Sequence, residues 1–265
     1  MNTGDNMSPT PYDDINLFLQ VFLNDVRSVL SDYFIGMYLY GSLATDDFDA
    51  NRSDIDFLVV TSEELPESLI SDLKTMHTRI YESGLEWATR LEGAYIPIDA
   101  IRVYNPTGPA CPLVNKNKLF NQNEFLVARP ATNWVINRHV LYTSGVVITG
   151  PPLQTIIDPV RPEQLKEAVL ASLRNDWTPW VYNSDLFLGT GYQPFVVLSM
   201  CRALYTLEHG TVASKLRSAE WAIANSDRKW TNIINQAMSW HDGDPPGDTG
   251  QTQEFIRYVL TEAGL

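Results

Sequence analysis

The sequence predicts an α/β first half joined to an all-helical second half. Three observations carry this. A continuous, β-branched run, Asp56-Phe57-Leu58-Val59-Val60-Thr61, reads as a buried strand. Shorter apolar stretches at Gly36–Tyr40 and Val146–Thr149 alternate with helical patterns before it and after it. Beyond the breakers Gly150-Pro151-Pro152, Asp158-Pro159 and Pro162, only helical spacing remains.

The elements follow in order. Thr10-Pro11 reads as a capping hydroxyl with proline at the first helical position, and Ile15, Phe18, Leu19, Phe22, Val26, Val29 and Leu30 form the apolar stripe of the helix behind it. Gly36–Tyr40 is a short strand that ends at Gly41, and an Asp- and Asn-rich loop leads to the strand Asp56–Thr61. Pro66–Tyr81 is a helix. Glu92–Val103 is extended, with Pro97 marking an edge or a bulge. Pro106–Lys118 reads as a loop, because four breakers fall within it. Thr132–Thr143 is a helix and Val146–Thr149 a strand. In the second half, helices are expected over Pro162–Asn175, over Phe195–His209 with Gly210 as its C-cap, from Ser214 to about Ala224, from Asp227 to about Trp240, and over Thr252–Glu262.

Length and composition bound the function. The chain has 265 residues, 44% of them apolar and 19% charged, which suits a globular protein with a full core and excludes the disordered class. A net charge of −13 leaves no basic stripe for a nucleic acid. An acidic surface serves solubility and also attracts a cationic substrate. The two cysteines have no metal-ligand spacing, and Cys201 reads as helix core. The polar segment Met1–Pro11 lacks an apolar signal core, and no run approaches the roughly 18 apolar residues of a membrane span. A cytoplasmic protein without membrane contact is expected. His77, His139, His209 and His241 show no paired spacing and read as surface or capping residues, so a zinc site is not expected.

Leu39-Tyr40-Gly41-Ser42, followed by Ser53-Asp54-Ile55-Asp56-Phe57-Leu58-Val59, carries the chemistry. A glycine at a strand end lets backbone amides approach a phosphate, and a serine hydroxyl donates to its oxygens. Carboxylates at i and i+2 on a strand point to one side, where a divalent cation relieves their repulsion and bridges them to substrate phosphates. Asp-x-Asp alone is often a solvated turn. The full order of strand, Gly-Ser, polar loop, Asp-x-Asp and buried strand is far more selective.

At these residues the chain resembles the DNA polymerase β-like nucleotidyltransferases, whose signature is Gly-Ser, a loop and Asp-x-Asp. The resemblance implies a nucleotidyltransferase domain with a mixed sheet and flanking helices over residues 1–157. It also requires a third carboxylate on a neighbouring strand. Glu92 and Asp99 are both candidates, and on an unbroken strand they face opposite sides. The segment Ser199–Gly210, with Val212-Ala213-Ser214-Lys215 and Glu254-Phe255-Ile256-Arg257-Tyr258-Val259, is similar to the helical domain of the streptomycin/spectinomycin adenylyltransferases. That narrower resemblance implies an all-α helical bundle over residues 158–265, ATP as co-substrate, and two magnesium ions. It puts Asp54, Asp56 and Glu92 on the metal, with Glu92 also as general base. It puts Gly41, Ser42, Ser53, Arg202, Lys215 and Trp240 on the nucleotide.

The resemblance further implies a small cationic acceptor and a monomeric enzyme. Asp176–Asp185 offers Trp177, Trp180, Tyr182 and Asp185 for that acceptor: rings cover sugar faces or cations, and a carboxylate pairs with ammonium or guanidinium. The same tryptophans also suit ordinary packing. The acidic residues and histidine that the drug-modifying enzymes carry before the long helix have no counterpart in Gly189-Thr190-Gly191-Tyr192-Gln193-Pro194-Phe195. Transfer of AMP to spectinomycin or streptomycin is therefore the first expectation. Transfer to another small molecule or to a protein is the second, and non-catalytic nucleotide binding is the third.

Overall fold

The computed structural model describes residues 8–45, 47–51, 53–117, 122–183, 192–241, 244–245 and 247–265. The chain divides into two compact units. The first takes in the described residues of 1–44, 54–129 and 144–158, and the second those of 45–53, 130–143 and 159–265. The units are not contiguous in sequence, because the loop at 45–53 and the segment 130–143 group with the C-terminal helices.

In the first unit, helix α1 spans Asp13–Leu30. Thr10 does not cap it. The Thr10 hydroxyl donates to Asn16 Oδ1 at 2.8 Å, and Asn16 Nδ2 donates back to the Thr10 carbonyl at 2.8 Å. These bonds hold Thr10 outside the helix, and Tyr12 takes the N-cap position. The strands are β1 (Phe34–Tyr40), β2 (Ile55–Thr61), β3 (Leu91–Pro97), β4 (Cys111–Asn117), β5 (Gln122–Ala128) and β6 (Val146–Thr149). They form one mixed sheet in the order β5-β4-β3-β2-β1-β6. Only β2 and β3 are parallel, and the connection between them carries helix α2 (Glu67–Tyr81), as a parallel crossover requires.

Two expectations for this unit change. Glu92–Val103 is not one extended run: β3 stops at Pro97 and helix α3 (Ile98–Arg102) follows. Pro97 marks the end of a central strand, and its fixed φ suits the residue before a helix. The expected loop at Pro106–Lys118 contains β4, which pairs with β3 and β5. Its prolines and glycine mask the strand in the sequence. Pro112 is tolerated because the register with β3 is made at Leu113 and Val114.

One face of the sheet packs on α1 and α2. Phe22 of α1 meets Phe57 of β2 edge-on at 4.9 Å, and Phe57 meets Tyr95 of β3 at 5.7 Å. His77 of α2 joins this cluster, with its Nε2 2.7 Å from the Tyr95 hydroxyl. Burial lowers the His77 pKa to about 3, so it is a neutral core residue rather than a surface one. His139 is likewise buried, with its pKa lowered by burial. His209 and His241 are exposed, as expected. Helix α4 (Trp134–Ser144) contributes His139 to the second unit, and the short α5 (Leu153–Ile156) lies in the first.

Among the described residues of the second unit, the regular elements are all helices, joined by loops such as 45–53. Helix α6 (Pro162–Ser172) runs into a π-turn at Leu173–Trp177, where a continuous α-helix to Asn175 was expected. Then come α7 (Thr178–Tyr182), α8 (Tyr192–His209), α9 (Lys215–Asn225), α10 (Thr231–Ser239) and α11 (Thr249–Glu262). Helices α6, α9, α10 and α11 pack on α8, whose Val196, Val197, Met200 and Cys201 are at most 1% exposed. Gly210 ends α8 with φ +66, a conformation that favours glycine. Ser214 caps α9 by accepting the Arg217 amide at 3.2 Å. Among the described residues, no helix is long and apolar enough to cross a membrane.

Candidate functional site

The site begins where β1 ends. Gly41 opens a 3₁₀ turn, Gly41–Ala44, that also carries Ser42. Gly41 has φ +66, and a methyl group built on its Cα would collide with the Asp56 carboxylate. Only glycine satisfies both the backbone conformation and the close approach.

Strand register then lines up three side chains. Tyr40 of β1 is the partner of Asp56 in β2, and Asp56 is the partner of Glu92 in β3. Residues in register across adjacent strands project from the same face. Phe57 and Tyr95 lie on the face packed against α1 and α2, so the row Tyr40, Asp56, Glu92 lies on the other. Asp54 sits two residues before Asp56, just ahead of β2. Tyr40 records the resulting potential. Burial, then the charges of Asp56 and Glu92, raise its pKa well above the usual tyrosine value, so the phenol stays protonated.

Asp99 is not part of this row. It is an exposed residue of α3, beyond the far end of β3. The strand from Glu92 to Pro97 alone spans roughly 17 Å at the usual rise per residue.

The donor set fits magnesium. Asp54, Asp56 and Glu92 offer hard carboxylate oxygens, and magnesium usually takes one or two carboxylates together with substrate phosphates and water. Among the described residues, no group of three or more His, Cys, Asp or Glu side chains is gathered so as to hold a metal ion by itself, so these carboxylates would need substrate phosphates and water to complete the set.

The remaining sequence-predicted residues belong to the second unit. Ser53 closes its loop: its amide donates to the Asp49 carbonyl at 2.8 Å, and its hydroxyl accepts the Asp49 amide at 3.0 Å. Asp47 of the same loop accepts the Leu216 amide at 3.4 Å, at the N-terminus of α9. Lys215 is the first residue of α9, with Nζ 4.5 Å from the centre of the Phe195 ring on α8. Arg202 lies two turns along α8 from Phe195, on the same side of the helix. Trp240 follows α10 at its C-cap. Trp177 and Trp180 are brought together at 5.8 Å, and Trp177 meets Phe195 at 5.9 Å. Tyr182 is 82% exposed and takes no part in that cluster's recorded contacts. Asp185 lies outside the described residues.

Comparison with known proteins finds two family matches along the chain. The nucleotidyltransferase domain family matches residues 22–110, and the C-terminal domain of the aminoglycoside adenylyltransferases matches residues 155–262. An aminoglycoside (3'') (9) adenylyltransferase of Shigella flexneri is 27% identical over 265 residues, covering 94% of this chain and 95% of its own. One from Klebsiella pneumoniae is 28% identical over 244 residues, covering 86% and 87%. The chain is thus similar to the aminoglycoside adenylyltransferases over both halves, with a nucleotidyltransferase domain followed by their C-terminal domain. Its fold is also that of a spectinomycin adenyltransferase from Enterococcus faecialis, solved with ATP and spectinomycin. That match has a TM-score of 0.68 at 18% identity and covers 96% of this chain and 99% of the other.

Three residues that the structure sets against sequence-predicted groups, each within its own unit, escaped the sequence. Tyr40 directly precedes Gly41, and pairing its strand with the Asp-x-Asp strand would have put it beside Asp56. Asp47 lies in a loop whose composition suggests only solvation. Phe195 reads as one more apolar residue of a long helix, and no local signal sets it apart.

Proposed function

We propose that this enzyme transfers AMP from ATP to a hydroxyl group of an aminoglycoside-type antibiotic, with spectinomycin the first acceptor to try. The observation that carries the reading is the register row Asp56–Glu92, with Asp54 alongside, in a chain whose second half matches the aminoglycoside adenylyltransferase helical domain. The acceptor hydroxyl attacks the α-phosphorus, the bond to the β-phosphate oxygen breaks, and pyrophosphate leaves. Glu92 takes the hydroxyl proton as general base. Gly41 and Ser42 receive phosphate oxygens through backbone amides and a hydroxyl. Asp54 and Asp56, with Glu92, would hold magnesium, which when bound supplies positive charge to the phosphates. Arg202 and Lys215 offset negative charge on the triphosphate, and Trp240 faces the adenine.

Trp177 and Trp180 supply the aromatic surface for the acceptor, with Tyr182 and Asp185 as further candidates. The segment Gly189–Phe195 has no acidic residue, which favours spectinomycin over the doubly guanidinylated streptomycin. The reaction belongs in the cytoplasm, where ATP is available, and one copy of the chain carries every group named.

Incubating the purified protein with ATP, magnesium chloride and each drug, and weighing the products by mass spectrometry, tests this. Spectinomycin heavier by one AMP is expected. No adenylylated product from any aminoglycoside overturns the acceptor assignment, and no pyrophosphate release with a wider acceptor panel overturns the transfer itself.

A further inference from the structure

We propose that Phe195 is a positioning residue, whose ring holds the Lys215 ammonium in place. The inference rests on the reading of Lys215 as a triphosphate cation. Lys215 is the first residue of α9, at the helix end whose dipole disfavours a positive charge. Its ammonium lies over the Phe195 ring, 4.5 Å from the centroid. An aromatic face attracts a cation through its quadrupole.

The ring is itself held. Phe195 is half-buried on α8 and meets Trp177 at 5.9 Å, and Trp177 meets Trp180 at 5.8 Å. The backbone beneath Trp180 is tied to α11 by the Gln253 side-chain amide, which donates to the Trp180 carbonyl at 3.2 Å. The two tryptophans offered to the acceptor and the lysine offered to ATP therefore share one packed aromatic row within the second unit.

Three variants test this: Phe195→Leu removes the ring and keeps bulk, Phe195→Tyr keeps the ring, and Lys215→Met removes the ammonium. With spectinomycin as acceptor, Phe195→Leu is expected to raise KM for ATP roughly fivefold, Phe195→Tyr to stay within about twofold of wild type, and Phe195→Leu to add nothing in the Lys215→Met background. Equal losses in the Leu and Tyr variants, or an additive loss in the Lys215→Met background, overturn the proposal. An activity-free arm uses ¹³C-lysine-labelled protein. The signal missing from Lys215→Met should be shifted upfield by the ring in wild type and Phe195→Tyr, but not in Phe195→Leu. If wild type transfers no AMP, the proposed function fails while this shift still decides the contact, and an unshifted Lys215 signal overturns it.

Discussion

The first unit places its charged groups by strand register, and the second places them by packing on helices. Asp56 and Glu92 are short side chains on adjacent parallel strands, so the hydrogen-bonded ladder fixes their spacing directly. Gly41 completes that arrangement by letting the Asp56 carboxylate lie against its backbone. Lys215 and Arg202 are long side chains on α9 and α8, and their helices fix only where each stem begins. The ammonium end of Lys215, about four rotatable bonds away from its own backbone, lies over the Phe195 ring. A carboxylate can be positioned by backbone alone; a lysine needs a second contact at its tip.

The comparison can be broken at its strongest point first. Glu92→Gln keeps shape and removes the base, so kcat for transfer should fall by about 100-fold or more while the melting temperature stays close to wild type. A variant that keeps full activity would remove Glu92 from the chemistry. Gly41→Ala strains a left-handed backbone and displaces the Asp56 carboxylate, and should cost about 1–3 kcal/mol in urea denaturation together with most of the activity.

The core behind the carboxylate row offers a pH test. The His77 pKa is near 3 in the fold and near 6.5 in the unfolded chain, so the unfolded state binds the extra proton between those values. Stability should therefore fall as pH drops from about 6.5 towards 3. His77→Gln, which can still bond the Tyr95 hydroxyl but does not titrate, should flatten that decline in urea midpoints compared at pH 7 and pH 5.

Helix positioning should prove more forgiving. Ser214→Ala removes the α9 cap and should cost about 1 kcal/mol in denaturant unfolding, with a smaller change in KM for ATP than Phe195→Leu gives. Asp99→Asn should alter neither kcat nor KM by more than about twofold, because the residue lies on α3 beyond the far end of β3.

Much of this was legible in the chain. The strand, Gly41-Ser42, the polar loop, Asp54 and Asp56 are consecutive, and local patterning suffices to read them. The all-helical second half was also plain, since the apolar stripe of α8 and the caps at Ser214 and Asp227 are local signals. Strand β4 was hidden by Pro109, Pro112 and Gly108, whose breaker character is real but is overridden by pairing with β3 and β5. His77 looked like a surface residue because nothing nearby in sequence announces Phe22, Phe57 and Tyr95 around it.

By itself the sequence determined which groups are available: a glycine turn, paired carboxylates, two helix-borne cations and a run of aromatics. Spacing alone could not choose between Glu92 and Asp99, although the family resemblance favoured Glu92, because alternation along a strand holds only while the strand continues. The tertiary structure ended β3 at Pro97, set Glu92 beside Asp56 and set Tyr40 on its other flank. It also placed Phe195 under Lys215, residues twenty positions apart whose meeting depends on how α9 packs against α8. Periodicity and capping are written in neighbouring residues; register and packing arise only when distant segments compete for the same partners.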